Sequence, residues 1–261
     1  MENIALETHN LTVSYNRKPV LWNVDFKLPA GQIIGIIGPN GSGKTTLLKS
    51  IMGLTPLSSG YVEIFGQQLD DVRDRISYVP QKESVDWDFP ASVMDVVLMG
   101  RYSPKNLFKR ISKKDKDLAA EALEKVNLLE FSNRQISQLS GGQQQRVFIA
   151  RSLTQNADLF IMDEPFVGVD AATEQAILKL MQEMKEKGKT VVVVHHDLQT
   201  AKDYFDWIVL LNTRLVASGP KAEIFNEKLL QEAYGGKLNV LSKVGELVRQ
   251  NDFPIREKQR K

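Results

Sequence analysis

Cysteine is absent from the 261 residues of the sequence, and histidine occurs only three times. The lack of cysteine excludes disulfide bonds and thiolate metal sites, and it is typical of proteins of a reducing cytosol. Because imidazoles are also scarce, a transition-metal site in this chain would be poorly supplied with its usual ligands.

Long apolar runs and a strong charge of either sign are missing as well. Apolar stretches such as the four valines at 191–194 fall far short of the roughly 18 residues of a membrane-spanning helix. The chain also begins without the apolar core of a signal peptide. Lysine and arginine number 34 against 32 acidic residues, so the charge does not favour nucleic acid or anionic lipid as the main partner. If the chain works at a membrane, we expect another protein to hold it there.

The apolar and polar residues alternate in some segments and not in others, and this difference predicts two kinds of strand. The segments "ALETHNLTVSY" and "VLWNVDFKLP" have mixed polarity and flank a turn at "NRKP", which predicts an antiparallel sheet near the start. By contrast, "QIIGIIG", "DLFIMDE" and "TVVVVHH" are apolar at nearly every position, as parallel strands buried on both faces are. These strands predict a doubly wound α/β core. After them, "WIVLLNTRLVASG" predicts an edge hairpin and "KAEIFNEKLLQEAYG" predicts one closing helix.

A helical lobe is predicted between about residues 86 and 153, where no strand of the second kind occurs. Ser112 and Asp115 have the spacing of a capping box at a helix start. The apolar residues that follow fall on one helix face: Ala119, Ala122, Leu123 and Val126. We therefore expect this lobe to be inserted into the α/β core.

A glycine-rich segment, "GPNGSGKTT", follows the first buried strand and precedes a helical pattern. In that setting consecutive backbone N–H groups can surround phosphate oxygens at a helix N-terminus, so the segment predicts a phosphate-binding loop. Lys44 would lie along the β- and γ-phosphates, and the Thr45 hydroxyl would ligate Mg²⁺. The candidate nucleotide-binding residues are Gly38, Pro39, Asn40, Gly41, Ser42, Gly43, Lys44, Thr45 and Thr46.

Two adjacent acids, Asp163 and Glu164, end the strand "LFIMDE". Mg²⁺ prefers a few carboxylates together with retained water, so Asp163 is a candidate metal ligand. Glu164 is then placed to act as general base toward an attacking water. Either acid alone would be an ordinary strand end in solvent; a pair following a phosphate loop favours nucleotide hydrolysis.

The segment "LSGGQQQR" at residues 139–146 is the motif that points most specifically to one protein family. Together with the phosphate loop, "LFIMDE", Gln81 and "HHD" in this order, it closely resembles the nucleotide-binding subunit of ATP-binding cassette transporters. The resemblance runs from Tyr15 to the closing helix. It implies one domain over residues 1–261, with a P-loop NTPase (RecA-like) core, an N-terminal antiparallel β subdomain and an inserted helical subdomain.

The same resemblance implies a head-to-tail dimer that binds ATP and Mg²⁺ between the phosphate loop of one copy and the "LSGGQ" segment of the other. Ser140, Gly141, Gly142 and Gln143 would offer a second helix N-terminus to the γ-phosphate. Gln81 would reach the metal and the attacking water, and by itself it would be a solvated strand end. Tyr15 would stack on adenine, although a strand tyrosine is otherwise a core aromatic.

Two more site residues rest on the resemblance. Asp170 would contact the opposite copy, with a helix N-cap as the ordinary alternative. His196 precedes an acid, as the switch histidine of the family commonly does, so it would touch the γ-phosphate while His195 packs. Phe166 and Val167 depart from the family pattern, which usually has small residues after "DEP".

The segment "VDWDFPASVMDVVLMGRY" resembles the corresponding segment in cassettes of bacterial manganese, zinc or iron importers. It implies membrane permease subunits as partners, an extracytoplasmic solute-binding protein acting indirectly, and a peripheral location at the cytoplasmic face. Trp87 and Phe89 would either dock a permease helix or pack within the helical lobe.

Two alternatives to metal import stay open at this point. One is a cassette for iron-chelate or haem import, and the other is a soluble ATPase of iron–sulfur assembly. A cassette that works on nucleic acid is not expected, because a long heptad insertion and a basic charge balance are both missing.

Overall fold

The computed structural model describes residues 3–16, 18–87, 89–102 and 110–235. Asp88 and the basic tail "REKQRK" lie outside the described residues. Two sheets and a set of helices form the fold, and the order of the elements agrees with the α/β architecture expected from the sequence.

The first sheet is antiparallel, as predicted, and has the strand order β2-β1-β4. Its strands are β1 (Ile4–Tyr15), β2 (Lys18–Pro29) and β4 (Ser59–Ile64). Along β1, Leu6 and Thr8 are buried while Glu7 and His9 are partly exposed, because successive side chains point to opposite faces. One face of this sheet therefore contributes to the core and the other meets solvent.

The second sheet has the order β5-β6-β7-β3-β8-β9. Its strands are β3 (Ile33–Ile37), β5 (Ile76–Val79), β6 (Leu159–Asp163), β7 (Thr190–His195), β8 (Trp207–Asn212) and β9 (Arg214–Pro220). Neighbours from β5 to β8 pair in parallel, and β9 returns antiparallel from β8 at the edge. Every residue of β3, β6 and β7 is buried, which confirms the prediction from their apolar patterns.

The central strands are covered on both faces by different partners. Ile33 and Ile37 pack with the helical lobe, whereas Ile34 and Ile36 pack with the antiparallel sheet and the helix after the phosphate loop. This two-sided burial is why no polar position interrupts these strands.

The helical lobe contains α3 (Val93–Leu98), α4 (Lys113–Lys125) and α5 (Gly141–Leu153). Ser112 and Asp115 form the predicted capping box, and a second box joins Ser92 and Asp95 at the start of α3. The four apolar residues predicted on one face of α4 and its end are all buried. The prediction of an inserted helical lobe is confirmed.

The remaining helices either lie between strands or follow β9, the last strand of the described residues. They are α1 (Lys44–Ile51), α2 (Leu69–Val72), α6 (Ala171–Glu186), α7 (Leu198–Tyr204), α8 (Lys221–Ile224) and α9 (Glu227–Tyr234). The prediction of a single closing helix was wrong, because the structure has two helices there, α8 and α9. Asn226 has an extended backbone there, and its side chain accepts a hydrogen bond from the Leu229 N–H at 3.0 Å, which caps α9. Within the described ranges, no helix combines the length and apolar character that crossing a bilayer requires.

Candidate active site

The phosphate loop joins β3 to α1, and its carbonyl groups bind the ammonium group of Lys44. Gly41 and Gly43 have φ values of 81° and 98°, a left-handed backbone that glycine adopts without a Cβ clash. The Lys44 ammonium donates hydrogen bonds to the carbonyls of Gly38 at 2.9 Å and Pro39 at 3.0 Å. Burial lowers the pKa of Lys44 from its ordinary value. The loop thus holds a desolvated ammonium beside a row of backbone N–H groups.

Asp163 ends β6 next to this loop and is fully buried. The Thr45 hydroxyl donates a hydrogen bond to Oδ1 of Asp163 at 3.2 Å, whereas Oδ2 is buried without a hydrogen-bond partner. Burial raises the pKa of Asp163 to about 6. A buried carboxylate oxygen without a donor beside a hydroxyl is an oxygen donor set that suits a hard divalent cation.

Glu164, the next residue, has a φ of 50°, which is uncommon for a residue other than glycine. Its N–H donates to the Val194 carbonyl at 3.2 Å, which ties this backbone to β7. Its Oε2 accepts a hydrogen bond from the Gln81 side-chain amide at 3.3 Å. Backbone and side chain of Glu164 therefore join the ends of β6 and β7 to the segment that follows β5.

Most of these groups line one pocket of about 300 Å³, and the buried Asp163 adjoins it through its hydrogen bond from Thr45. Its lining residues are Val20, Asn40, Gly41, Ser42, Gly43, Lys44, Thr45, Thr46, Gln81 and Glu164. Sequence reasoning missed Val20, since an apolar residue at the start of a strand carries no chemical signal. The Ser42 hydroxyl is buried without a hydrogen-bond partner, so the loop holds a polar group that a bound phosphate could satisfy.

Four other candidate residues do not line this pocket and have exposed side chains. They are Tyr15 at the end of β1, Ser140 before α5, Asp170 before α6 and His196 after β7. The single chain therefore brings part of the predicted site together in this pocket and leaves these four residues apart from it.

The start of α5 is built as a capping box. Ser140 Oγ accepts from the Gln143 N–H at 3.3 Å, and the Gln143 side chain accepts from the Ser140 N–H at 2.9 Å. A Cβ at Gly141 would meet the Lys82 ammonium, the end of a flexible side chain that can move aside, so this contact does not by itself require glycine. Asp170 in turn caps α6 by accepting from the Thr173 N–H at 2.7 Å, which is the ordinary alternative expected for it.

The two adjacent histidines differ sharply in environment. His195 is buried, its Nε2 lies 2.7 Å from the Thr200 hydroxyl, and burial lowers its pKa to about 4. His196 is exposed. The unusual Phe166 packs its ring edge against His195, with 5.5 Å between ring centroids, and contacts Tyr204 at the same separation. The residue that departs from the family pattern thus covers the buried histidine.

Trp87 and Phe89 are both half-buried against the core of the helical lobe. The Trp87 indole N–H donates to the Lys82 carbonyl at 2.9 Å, and its ring meets Phe148 edge-on at 5.1 Å. Of the two interpretations left open by the sequence, these contacts support packing for Trp87.

The fold and the pocket define a P-loop nucleotide-binding ATPase with an inserted helical lobe. Residues 21–167 match the family described as ABC transporter. The chain belongs to this family, as an ATP-binding subunit.

Two relatives extend the likeness over almost the whole chain. The manganese transport system ATP-binding protein MntB of Bacillus subtilis (strain 168) is 59% identical over 236 residues, 90% of this chain and 94% of the relative. The zinc transport system ATP-binding protein TroB of Treponema pallidum (strain Nichols) is 56% identical over 235 residues, 90% of this chain and 88% of the relative.

The fold is likewise similar to a solved ATP-binding cassette, a dimer in a post-hydrolysis state bound to ADP and Pi. The TM-score is 0.71 at 29% sequence identity, over 83% of this chain and 98% of the other.

Proposed function

We propose that the chain is the ATP-hydrolysing subunit of an importer that carries a divalent metal ion, manganese, zinc or iron, through membrane permease subunits. The contact between Gln81 and Glu164 beside the phosphate loop is the observation that supports hydrolysis most directly. The names of the manganese and zinc relatives support the choice of cargo.

In the phosphate loop, the backbone N–H groups and Lys44 bind the triphosphate. Lys44 is held in place by two carbonyl oxygens, so little reorganisation is needed when a γ-phosphate arrives. Thr45, Asp163 and Gln81 would hold Mg²⁺, and the unpartnered Asp163 Oδ2 fits this role. When bound, the ion neutralises charge on the phosphates during phosphoryl transfer.

Glu164 accepts the proton of the attacking water as general base. Its backbone bond to Val194 and its side-chain bond from Gln81 fix the carboxylate at the edge of the pocket. Gln81 both orients this carboxylate and starts the segment that leads into the helical lobe, so a change at the γ-phosphate can reach that lobe.

A second copy of the chain completes the site. The exposed Tyr15, Asp170 and His196, and the segment from Ser140 through Gln143, lie outside the single-chain pocket. In a head-to-tail dimer they would meet nucleotide or the other copy: Tyr15 at adenine, Ser140 through Gln143 at the γ-phosphate, Asp170 across the interface and His196 at the γ-phosphate. ATP then stabilises the closed dimer relative to the open one, and this difference in affinity drives the permease between conformations.

In this proposal the chain sits peripherally at the cytoplasmic face of the membrane, and an extracytoplasmic solute-binding protein delivers the ion. The test is reconstitution of the chain with its permease and binding protein, measuring ATP hydrolysis with Mn²⁺, Zn²⁺, Fe²⁺ or an iron chelate. Stimulation by a free divalent ion is the expected result. Stimulation by a chelate or haem alone would reassign the cargo, and failure to recover a permease would favour a soluble cassette.

A further inference from the structure

Three potential metal ligands meet on the solvent face of the antiparallel sheet, away from the nucleotide pocket. The Nε2 of His9 lies 3.5 Å from Oε2 of Glu7 and 3.7 Å from Oε2 of Glu63. One donor atom from each residue lies within 4.8 Å of the other two. None of the three lines the pocket that holds Lys44 and Glu164.

The strand register places these side chains together. Glu7 of β1 pairs with Glu63 of β4, and His9 pairs with Tyr61 two residues further along. Side chains two residues apart on a strand share a face, so all four lie on one side of the sheet. The donors are therefore carried by paired backbones rather than by loops, which limits the reorganisation needed for binding.

The imidazole is held with its nitrogen directed between the carboxylates. The His9 ring stacks on Tyr61, with 4.4 Å between centroids and 14° between planes. Its Nε2 is shielded from solvent and has no hydrogen-bond partner, although the side chain as a whole is 27% exposed. A buried polar atom without a partner is uncommon in native proteins, and a bound ion is one explanation of it.

The distances agree with ligation better than with hydrogen bonding. Ligands at about 2.1 Å from a tetrahedral centre are separated from one another by about 3.4 Å. The two separations from His9 Nε2, 3.5 and 3.7 Å, lie close to this value and beyond an ordinary hydrogen bond. One imidazole and two carboxylates suit a divalent first-row transition metal, with a further position open to water.

We propose that Glu7, His9 and Glu63 bind a divalent transition-metal ion on the outer face of the β subdomain. Lys27, which pairs with Glu7 from the adjacent strand and contacts its carboxylate at 2.7 Å, neutralises part of the site when no ion is bound. The Lys27 side chain is 64% exposed, so it can move aside into water when an ion arrives. This site is separate from ATP hydrolysis and does not depend on the proposed transport function.

The test is calorimetric titration of the nucleotide-free full chain with Zn²⁺ and with Mn²⁺ in excess Mg²⁺, which occupies oxygen sites but is a poor partner for imidazole. We expect one transition-metal ion to bind per chain at this site. Glu63→Gln and His9→Gln should each weaken its binding by about tenfold or more. Glu121→Gln, a change at an exposed carboxylate on α4, is the matched control and should bind as the wild type does.

Thermal unfolding supplies a second measurement that does not involve activity. Zn²⁺ should raise the unfolding temperature of the wild type and of Glu121→Gln, because an ion that binds only the folded state stabilises it, and it should raise that of Glu63→Gln less. Lys27→Met should bind the ion at least as tightly as the wild type. The proposal is overturned if the wild type and Glu63→Gln bind Zn²⁺ and Mn²⁺ equally, or if Lys27→Met binds them more weakly.

Discussion

The Gln81 side-chain amide donates a hydrogen bond to the Glu164 carboxylate at 3.3 Å, although the two residues are 83 positions apart in the chain. The bond links the segment after β5 to the end of β6, and both residues line the pocket formed by the phosphate loop. A movement of either side chain therefore changes the hydrogen bonding of the other.

Replacing Glu164 with glutamine should lower steady-state ATP hydrolysis by at least about 100-fold, since the change removes the general base. ATP binding should persist because Lys44, Thr45 and Asp163 are untouched, and an ATP-dependent dimer should accumulate on size-exclusion chromatography. Undiminished hydrolysis in Glu164→Gln, with Glu121→Gln as the control, would show that Glu164 is not the base.

A mixing experiment tests the shared site. Ser140→Arg should block hydrolysis because it places bulk and positive charge at the N-terminus of α5, and Lys44→Ala should block it in the phosphate loop. Heterodimers of the two variants retain one intact composite site, so mixing should restore part of the ATPase activity. If heterodimers form and no activity returns at any ratio, the head-to-tail arrangement is incorrect.

The buried His195 should make stability depend on pH. Its pKa is about 4 when folded, below the ordinary value of 6.5, because burial disfavours the charged ring. Between these values the unfolded chain binds a proton that the folded chain does not, so the free energy of unfolding falls as the pH drops from 7 to 4, by about 3 kcal/mol from this group.

Denaturant unfolding across this range checks the sign. His195→Gln should lose less stability than the wild type on acidification, because glutamine does not titrate. The exposed His196→Gln is the matched control and should keep most of the wild-type pH dependence, because burial, ahead of the neighbouring His196, is the main cause of the lowered pKa of His195. A wild-type slope in His195→Gln would assign the effect to other groups.

Trp87→Ala should lower the free energy of unfolding by about 2 kcal/mol, since it removes a half-buried ring from Phe148 and one of the two donors to the Lys82 carbonyl, which keeps its bond from the Val85 N–H. Trp87→Phe should cost less because it keeps a ring at the contact. Tyr102→Ala, at an exposed aromatic, should change stability by less than about 0.5 kcal/mol. Equal effects of the alanine variants at 87 and 102 would contradict the packing role.

Docking of a permease at this segment stays a prediction, and Phe89→Ala separates it from packing. If Phe89 is an interface hot spot, its truncation should weaken co-purification with the permease by roughly 2 kcal/mol. Basal ATPase activity of the isolated chain should change little, whereas its unfolding midpoint should fall because Phe89 is half-buried against the helical lobe. Unaltered co-purification would leave Phe89 with a packing role alone.

Local features could be predicted from the sequence because they depend on residues close together in the chain. The phosphate loop at residues 38–46 is a continuous motif, and the capping box of Ser112 and Asp115 joins residues three positions apart. The buried parallel strands could be predicted because burial on both faces leaves no room for polar side chains.

Other features required the tertiary structure, because they depend on which distant segments become neighbours. The bond between Gln81 and Glu164 follows from the pairing of β5 with β6, and the cluster of Glu7, His9 and Glu63 follows from the register of β1 with β4. Whether Trp87 is covered depends on the packing of α5 against it. In each case the deciding energy comes from contacts between chain segments, which hydrophobic periodicity and local motifs do not encode.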